Sequence, residues 1–267
     1  MRVALCFYGL VGSLVGKNGE GELLDPSIAH ELYKKHIIDH NINVDVFIHS
    51  WSVNSKYKLL KLYKPKKECI EDQIIFENYK NHPKKYQNFT SKIKYIILKY
   101  IKKNLYIDWV TKRENETFRA YSRWYSSKKV LDLKKKYEEE NKFKYDVVMI
   151  TRLDVGFFKD IDFSKYDMNY FYASNRNDPP LKENNYKANY LNHYAGYAFQ
   201  DLWFFSNSEN LDKFSKLYDE IENYEINPHR SSMQHVKKFI GKNKIKYTLY
   251  RWFDYELLRR KFFKSKK

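Results

Sequence analysis

The chain has 267 residues, of which 43% are hydrophobic and 18% aromatic, and this content excludes an intrinsically disordered protein. A formal net charge of +17 indicates either an anionic partner or a surface rich in solvated lysine. No apolar run reaches the roughly 18 residues of a membrane span, and two cysteines are too few for a disulfide framework. We therefore expect a cytoplasmic protein with one domain, residues 1–267.

The first part of the chain predicts a βαβ unit. Residues 3–7 are a short apolar run, residues 26–39 have a helical pattern, and residues 44–49 are almost continuously apolar. Continuous apolar runs are typical of strands that are buried on both faces, as in parallel sheets.

Residues 74–113 interrupt this alternation and predict a helical insertion. Within it, residues 91–103 predict an amphipathic helix with Ile93, Ile96, Ile97 and Tyr100 on one side. Residues 114–141 contain neither Pro nor Gly, so they predict a long helix after the insertion.

The second half of the chain returns to alternating elements. Residues 145–150, 170–173 and 200–206 predict strands, and residues 207–224 predict a helix with Ser208 as its N-cap. Alternating strands and helices predict an α/β fold, a mostly parallel sheet covered by helices on both faces.

The C-terminal segment, residues 251–267, is strongly basic. Trp252, Tyr255, Leu258 and Phe262 can share one side of a helix. Such a segment would suit peripheral contact with an anionic membrane surface, whereas a helix packed back onto the domain is an equal alternative.

Polar residues follow several strands, and ligands of open α/β sheets bind at the carboxyl ends of strands. After the first strand come Tyr8, Gly9 and Gly12, with further glycines at positions 16, 19 and 21. Glycines allow backbone N–H groups to approach a phosphate, but the spacing matches neither a dinucleotide fingerprint nor a P-loop. A flexible connector explains this loop equally well.

The sequence TRLD after the third apolar run, residues 145–150, contains the strongest pair of candidates. Arg152 and Asp154 are two residues apart, so they project to the same side of a strand. Arg152 could bind a diphosphate and Asp154 a divalent metal, and a simple strand-end salt bridge is an equal alternative.

Histidines and a tryptophan provide weaker candidates. His49 and Trp51 follow the second strand, where an imidazole could contact a ribose or phosphate and an indole could stack on a base. His229 and His235 could contact a metal or a phosphate, although structural roles are the stronger expectation for both.

Five segments of the chain resemble GT-A-type polysaccharide glycosyltransferases of bacteria, phages and giant viruses. They are FYGLVGS, VDVFIHSWS, LYKPKKECIEDQIIFE, SRWYSSKKVLDL and YDVVMITRLDV. The resemblance spans most of the chain except about residues 79–113. It implies a Rossmann-like GT-A fold in which an Asp-x-Asp motif holds a metal against the donor diphosphate.

The resemblance assigns functions to individual residues. TRLD matches the Asp-x-Asp motif with Arg152 in place of the first carboxylate, which puts an Mn²⁺ or Mg²⁺ cofactor in question. Asp201 would be the base or clamp for the acceptor, although a solvent-exposed carboxylate at the start of a strand is an equal alternative from the sequence alone. Ser122 and Ser126 would face the donor. Tyr125 and Lys129 share that helix face, while Trp124 would pack into the core.

The implied function is transfer of a sugar from a UDP-, GDP- or CMP-type donor to a saccharide or lipid-linked saccharide acceptor during synthesis of a surface polysaccharide, such as capsule or lipopolysaccharide. Two other classes of function compete with it. A nucleic-acid-binding protein would explain the charge, although no helix-turn-helix, zinc-finger or ribonucleoprotein motif is present. A binding module with a transferase fold and no catalysis is the third class.

Overall fold

The computed structural model describes residues 1–13, 23–82, 103–175, 198–251 and 253–258, together with the isolated residues 93, 96, 97, 99 and 100. Its centre is a seven-stranded sheet. The strands are β1 (Val3–Gly9), β2 (Val44–Ser50), β3 (Lys67–Ile70), β4 (Val147–Arg152), β6 (Phe171–Asn175), β7 (Gln200–Ser206) and β8 (Ile245–Tyr250). Their order across the sheet is β3-β2-β1-β4-β7-β6-β8.

The sheet is mostly parallel, as the sequence predicts. Val3 lies opposite Val44 on one side and Val147 on the other, in parallel register. Strand β7 is antiparallel to both of its neighbours, so Trp203 lies opposite Thr151. The β3-β2-β1-β4 order is compatible with a Rossmann-like fold. Because β7 runs in the opposite direction, its first residues lie beside the carboxyl end of β4.

In the described parts of the chain, five helices cover the sheet: α1 (Pro26–His36), α2 (Lys56–Tyr63), α3 (Lys103–Asn141), α4 (Ser208–Ser215) and α5 (Pro228–Val236). Alternate residues of β1 enter two separate cores. Leu5 and Phe7 pack on the side of α1 and α2, whereas Ala4 and Cys6 pack on the side of α3, α4 and α5. The prediction of helices on both faces is therefore confirmed.

Helix ends differ from the predicted bounds. Helix α3 begins at Lys103, well before residue 114. The predicted helix 207–224 ends at Ser215, because successive turns then carry Leu217 and Ile221 into the core. Ser208 is not the N-cap, since the side chain of Asn207 accepts the hydrogen bond from the Asn210 N–H.

The predicted insertion is described only in part. Residues 74–82 are not helical apart from a 3-10 turn at Tyr79–Asn81. Phe76 packs against Phe118 and Tyr121 of α3, and residues 103–113 are the first turns of α3 itself. Residues 83–92 lie outside the described part of the chain.

A second, two-stranded sheet joins β5 (Val155–Phe157) to β9 (Tyr255–Leu257). The predicted C-terminal helix is therefore wrong over these residues. Tyr255 in β9 and Leu258 directly after it are both fully buried in the core, while the backbone of β9 pairs with β5. Trp252 and residues 259–267, including Phe262, lie outside the described residues.

A buried lysine joins two helices on one face of the sheet. Lys134 of α3 has no exposed side-chain surface, and its Nζ donates to Glu138 Oε2 at 3.0 Å, Asp212 Oδ1 at 2.6 Å and Ser208 Oγ at 2.8 Å. The two carboxylates compensate the cost of burying the ammonium group. This network holds α4 against α3.

No helix among the described residues has an apolar stretch long enough to cross a bilayer.

Candidate functional site

Arg152 and Asp154 form a bidentate ion pair at the end of β4. Nε of Arg152 lies 2.6 Å from Asp154 Oδ1, and its second contact, Nη2 to Oδ2, is also 2.6 Å. Burial alone would lower the pKa of Arg152, but the charge and hydrogen bonds of Asp154 outweigh it, so the pKa is raised. The strand-end salt bridge that the spacing allowed is therefore present.

The glycine loop packs directly on this pair. Gly12 has φ +91°, and a Cβ on it would lie 2.8 Å from the Cβ of Asp154. Both the backbone conformation and the close approach therefore require glycine at this position. Leu24 N–H then donates to the Gly12 carbonyl oxygen at 3.1 Å, which ties the loop to the segment before α1.

A second arginine–carboxylate pair lies at the start of β7. Arg123 of α3 forms an ion pair with Asp201, whose carboxylate is only 5% exposed. On the other side, Nδ1 of His229 lies 3.2 Å from Asp201 Oδ1. His229 itself is 27% exposed, so the imidazole is the more accessible end of this trio.

Tyr8 lies between the two ion pairs. Its hydroxyl donates to the backbone carbonyl of Asp201 at 2.9 Å, and Arg123 donates to the same oxygen at 3.2 Å. Burial raises the pKa of Tyr8, while the charges of Arg123 and Arg152 oppose that shift. Asp154 also acts on this phenol, so both ion pairs belong to one group of residues.

We call this group the strand-end cluster. Its members are Tyr8, Gly12, Arg123, Arg152, Asp154, Asp201 and His229. Two arginines are matched by two carboxylates, so its charge is balanced apart from the imidazole. Each guanidinium has more N–H donors than its carboxylate uses, so phosphate oxygens could bind without dismantling the pairs.

His49 lies in a separate hydrogen-bonded group at the ends of β2 and β3. Its Nδ1 is 2.6 Å from Ser126 Oγ and its Nε2 is 3.1 Å from Glu71 Oε1. Ser126 Oγ also accepts from the Gly9 N–H at 2.9 Å. Burial lowers the pKa of His49 despite the Glu71 hydrogen bond. His49, Gly9 and Ser126 thus hold β1, β2 and α3 together.

Trp51 is stacked within the protein. Its ring lies 5.6 Å from that of Tyr125 at an interplanar angle of 20°, with His49 edge-on at 4.7 Å. The Tyr125 ring also has the Lys129 ammonium group 5.2 Å from its centroid. Tyr125 therefore occupies one face of the indole, and Trp51 as a whole is only 7% exposed.

The structure brings most of the predicted residues together, in two neighbouring groups. Tyr8, Gly12, Arg152, Asp154, Asp201 and His229 meet in the strand-end cluster, and Gly9, His49 and Ser126 meet beside it. Ser122 does not join either group, because its hydroxyl donates to Gln73 Oε1 at 2.8 Å. Trp124 is buried in the core, as predicted. Glycines 16, 19 and 21 lie outside the described residues.

His235 lies apart from both groups. Its Nε2 donates to the Lys213 carbonyl oxygen at 2.9 Å, and the Tyr224 hydroxyl lies 3.0 Å from its Nδ1. Burial lowers the pKa of His235 to about 4. Both ring nitrogens thus have protein partners, which matches the structural role expected for this residue.

Arg123 and Glu71 are the partners that sequence reasoning missed. Both lie in segments that carry the family resemblance, but neither follows an apolar run. A signal for Arg123 existed: it sits beside the buried stripe of α3 formed by Ala120, Trp124 and Ser127. A charged residue at the border of such a stripe needs a partner, which here is Asp201.

A divalent metal does not fit Asp154 in this arrangement. Both carboxylate oxygens accept from Arg152, and the residue is 1% exposed. Mn²⁺ or Mg²⁺ would have to displace the guanidinium to reach an oxygen ligand. Elsewhere, the donor atoms of His49, Cys69 and Glu71 lie within 4.8 Å of one another, but His49 already contacts Ser126 and Glu71.

No protein-family model matches the chain, and no curated protein matches it either. The resemblance to glycosyltransferases therefore rests on the sequence motifs themselves.

Proposed function

We propose that the chain is a glycosyltransferase that moves a sugar from a nucleotide-sugar donor to a saccharide acceptor. The observation that supports this most directly is the pairing of Arg152–Asp154 and Arg123–Asp201 around Tyr8 at one edge of the sheet. Ligands of open α/β folds bind at this edge. A donor diphosphate and an acceptor hydroxyl need a cation and a base, respectively, and the strand-end cluster has both.

Arg152 is the donor-binding residue in this proposal. Asp154 fixes the plane of the guanidinium through two hydrogen bonds, so the remaining N–H groups have one orientation. When the bond from the anomeric carbon to the donor phosphate breaks, the nucleotide leaves and negative charge develops on its phosphate oxygens. The guanidinium stabilises this charge, and no step of the proposal uses a metal.

Asp201 and His229 serve the acceptor. A new bond forms between the acceptor oxygen and the anomeric carbon, and the hydroxyl proton must go to a base. Asp201 is nearly buried and paired with Arg123, whereas His229 is partly exposed. The proton is therefore taken by the imidazole, which Asp201 orients and stabilises when it becomes charged.

The finer assignments belong to the same proposal. They are a GT-A fold with TRLD in the Asp-x-Asp position, an acceptor that is part of a surface polysaccharide or its lipid-linked precursor, and action in the cytoplasm at the inner membrane surface. The resemblance of the five sequence segments supports them, together with the mostly parallel sheet.

Release of nucleotide from UDP-, GDP- and CMP-sugars, with and without saccharide acceptors, tests the proposal. We expect one donor class to be consumed by the wild type, and Asp201→Asn to lower the rate about 100-fold or more. Asp219→Asn is the control, because Asp219 is 48% exposed and pairs with Lys128. No turnover of any donor, combined with tight and salt-sensitive binding to RNA or DNA, would favour the nucleic-acid function instead.

A further inference from the structure

Exposed apolar side chains are concentrated in the segment from residue 93 to residue 107. Six large apolar side chains there are between 39% and 74% exposed. They are Ile93, Ile96, Ile97, Tyr100, Leu105 and Ile107. Residues 93, 96, 97 and 100 are helical and have the spacing of one helix side. No element among the described residues covers this side, and the exposure of these apolar side chains to water is unfavourable.

The same segment is strongly basic. Residues 91–107 contain five lysines and no acidic residue: Lys92, Lys94, Lys99, Lys102 and Lys103. Lys99 is exposed and lies 5.7 Å from the centroid of the Tyr100 ring. The segment is thus both apolar and cationic.

We infer that residues 93–107 dock on the surface of an anionic membrane. Isoleucine and tyrosine side chains enter the boundary between headgroups and acyl chains, while the lysines contact anionic headgroups. A second copy of the chain would bring two sets of lysines together, which is unfavourable. A nucleic acid would satisfy the lysines but leave the isoleucines in water. An anionic bilayer satisfies both.

This surface is independent of the proposed reaction, since it does not include any residue of the strand-end cluster. Its test is sedimentation of the purified chain with vesicles of phosphatidylcholine, alone or with about 30% phosphatidylglycerol, over a range of salt. We expect binding to the anionic vesicles to exceed binding to the neutral ones at least about tenfold, and to weaken as salt rises.

Two variants separate the apolar contribution from general effects. Ile96→Asp with Ile97→Asp should lower binding to anionic vesicles about tenfold or more, because both contacts with the acyl region are lost. Ile75→Asp is the matched control, since Ile75 is 83% exposed and lies outside the segment. All three substituted side chains are exposed, so both variants should keep the wild-type unfolding midpoint.

Three results would overturn the inference. One is equal binding to neutral and anionic vesicles, and another is unchanged binding of the Ile96→Asp, Ile97→Asp variant. The third is a concentration-dependent dimer, seen by light scattering without lipid and abolished by the same double variant, which would assign the surface to a second copy of the chain.

Discussion

Nδ1 of His229 lies 3.2 Å from Oδ1 of Asp201, and Arg123 of α3 forms an ion pair with the other oxygen of this carboxylate. His229 is the second residue of α5 and Asp201 is the second residue of β7, so the two residues come from separate elements. The side chain of Asn227 caps α5 by accepting from the His229 N–H at 3.0 Å, which fixes the backbone at the imidazole. The imidazole therefore lies within ion-pair distance of a nearly buried carboxylate, a position from which it could act as a general base.

His229→Ala should lower the turnover of the donor about 100-fold or more, while the dissociation constant of the nucleotide changes less than about threefold. The reason is that, in the proposed function, His229 takes the acceptor proton and does not contact the diphosphate. Steady-state kinetics and calorimetry on the same variant measure the two quantities. An equal loss in nucleotide affinity would instead place His229 in donor binding.

Gly12→Ala should destabilise the protein by about 2 kcal/mol or more, because the new Cβ is strained at positive φ and clashes with Asp154. Gly9→Ala is a suitable comparison, since Gly9 also has φ +91° but its Cβ would meet nothing within 4 Å. Urea unfolding of both variants separates backbone strain from the clash. Equal free energies of unfolding would contradict the close packing of the loop on Asp154.

Lys134→Met should lower the free energy of unfolding by about 3 to 5 kcal/mol, because it leaves Glu138 buried with only the exposed ammonium group of Lys144 as a partner cation. Lys213→Met is the control, since Lys213 forms an exposed pair with Glu209 and should cost less than about 0.5 kcal/mol. Denaturant unfolding measures both values. A small effect of Lys134→Met would mean that Lys144 or water compensates Glu138.

His235 should make stability depend on pH between about 6.5 and 4. Burial lowers its pKa to about 4, so the unfolded chain binds a proton first as the pH falls, and the folded state loses up to about 3 kcal/mol. Above pH 6.5 this contribution is fully present. The charge of Glu220 raises the pKa of this ring, and the charges of Lys216 and Lys238 lower it. The Tyr224 hydroxyl lies 3.0 Å from its Nδ1.

The check is the slope of unfolding free energy against pH for wild type and His235→Phe. The variant lacks the titrating group, so its curve should be flatter between pH 6.5 and 4, whatever its absolute stability. Parallel curves would show that other groups cause the acid sensitivity.

The central strands could be predicted from the sequence because their apolar runs are continuous. Strand β3 and the edge strand β8 were missed, since Lys67, Glu68 and Lys246 interrupt the pattern where one face is open to water. Strands β5 and β9 have three residues each, too few for a periodic signal. Their pairing depends on contacts 102 residues apart in the chain, Val155 with Leu257.

The candidate site could be predicted only to the level of single strand ends. Topology rules identified the ends of β1, β2 and β4, and there Arg152 and Asp154 are indeed paired. The contact of Arg123 with Asp201 joins a helix to a strand 78 residues later, and local patterns carry no information about such a contact. The antiparallel direction of β7, which places Asp201 at this edge, likewise cannot be predicted from local sequence patterns.

Calorimetric titration with UDP, GDP, CDP, CMP and ADP tests most directly whether Arg152 forms a donor site. The test variant combines Arg152→Ala with Asp154→Ala, so the ion pair is removed and neither charge is left buried alone. Arg230→Ala, Glu225→Ala removes an exposed ion pair and serves as the control. We predict micromolar binding of one nucleotide to the wild type and the control variant, and its loss in the double variant. Equal binding by all three proteins, or no binding to any of them, would contradict a donor site at Arg152.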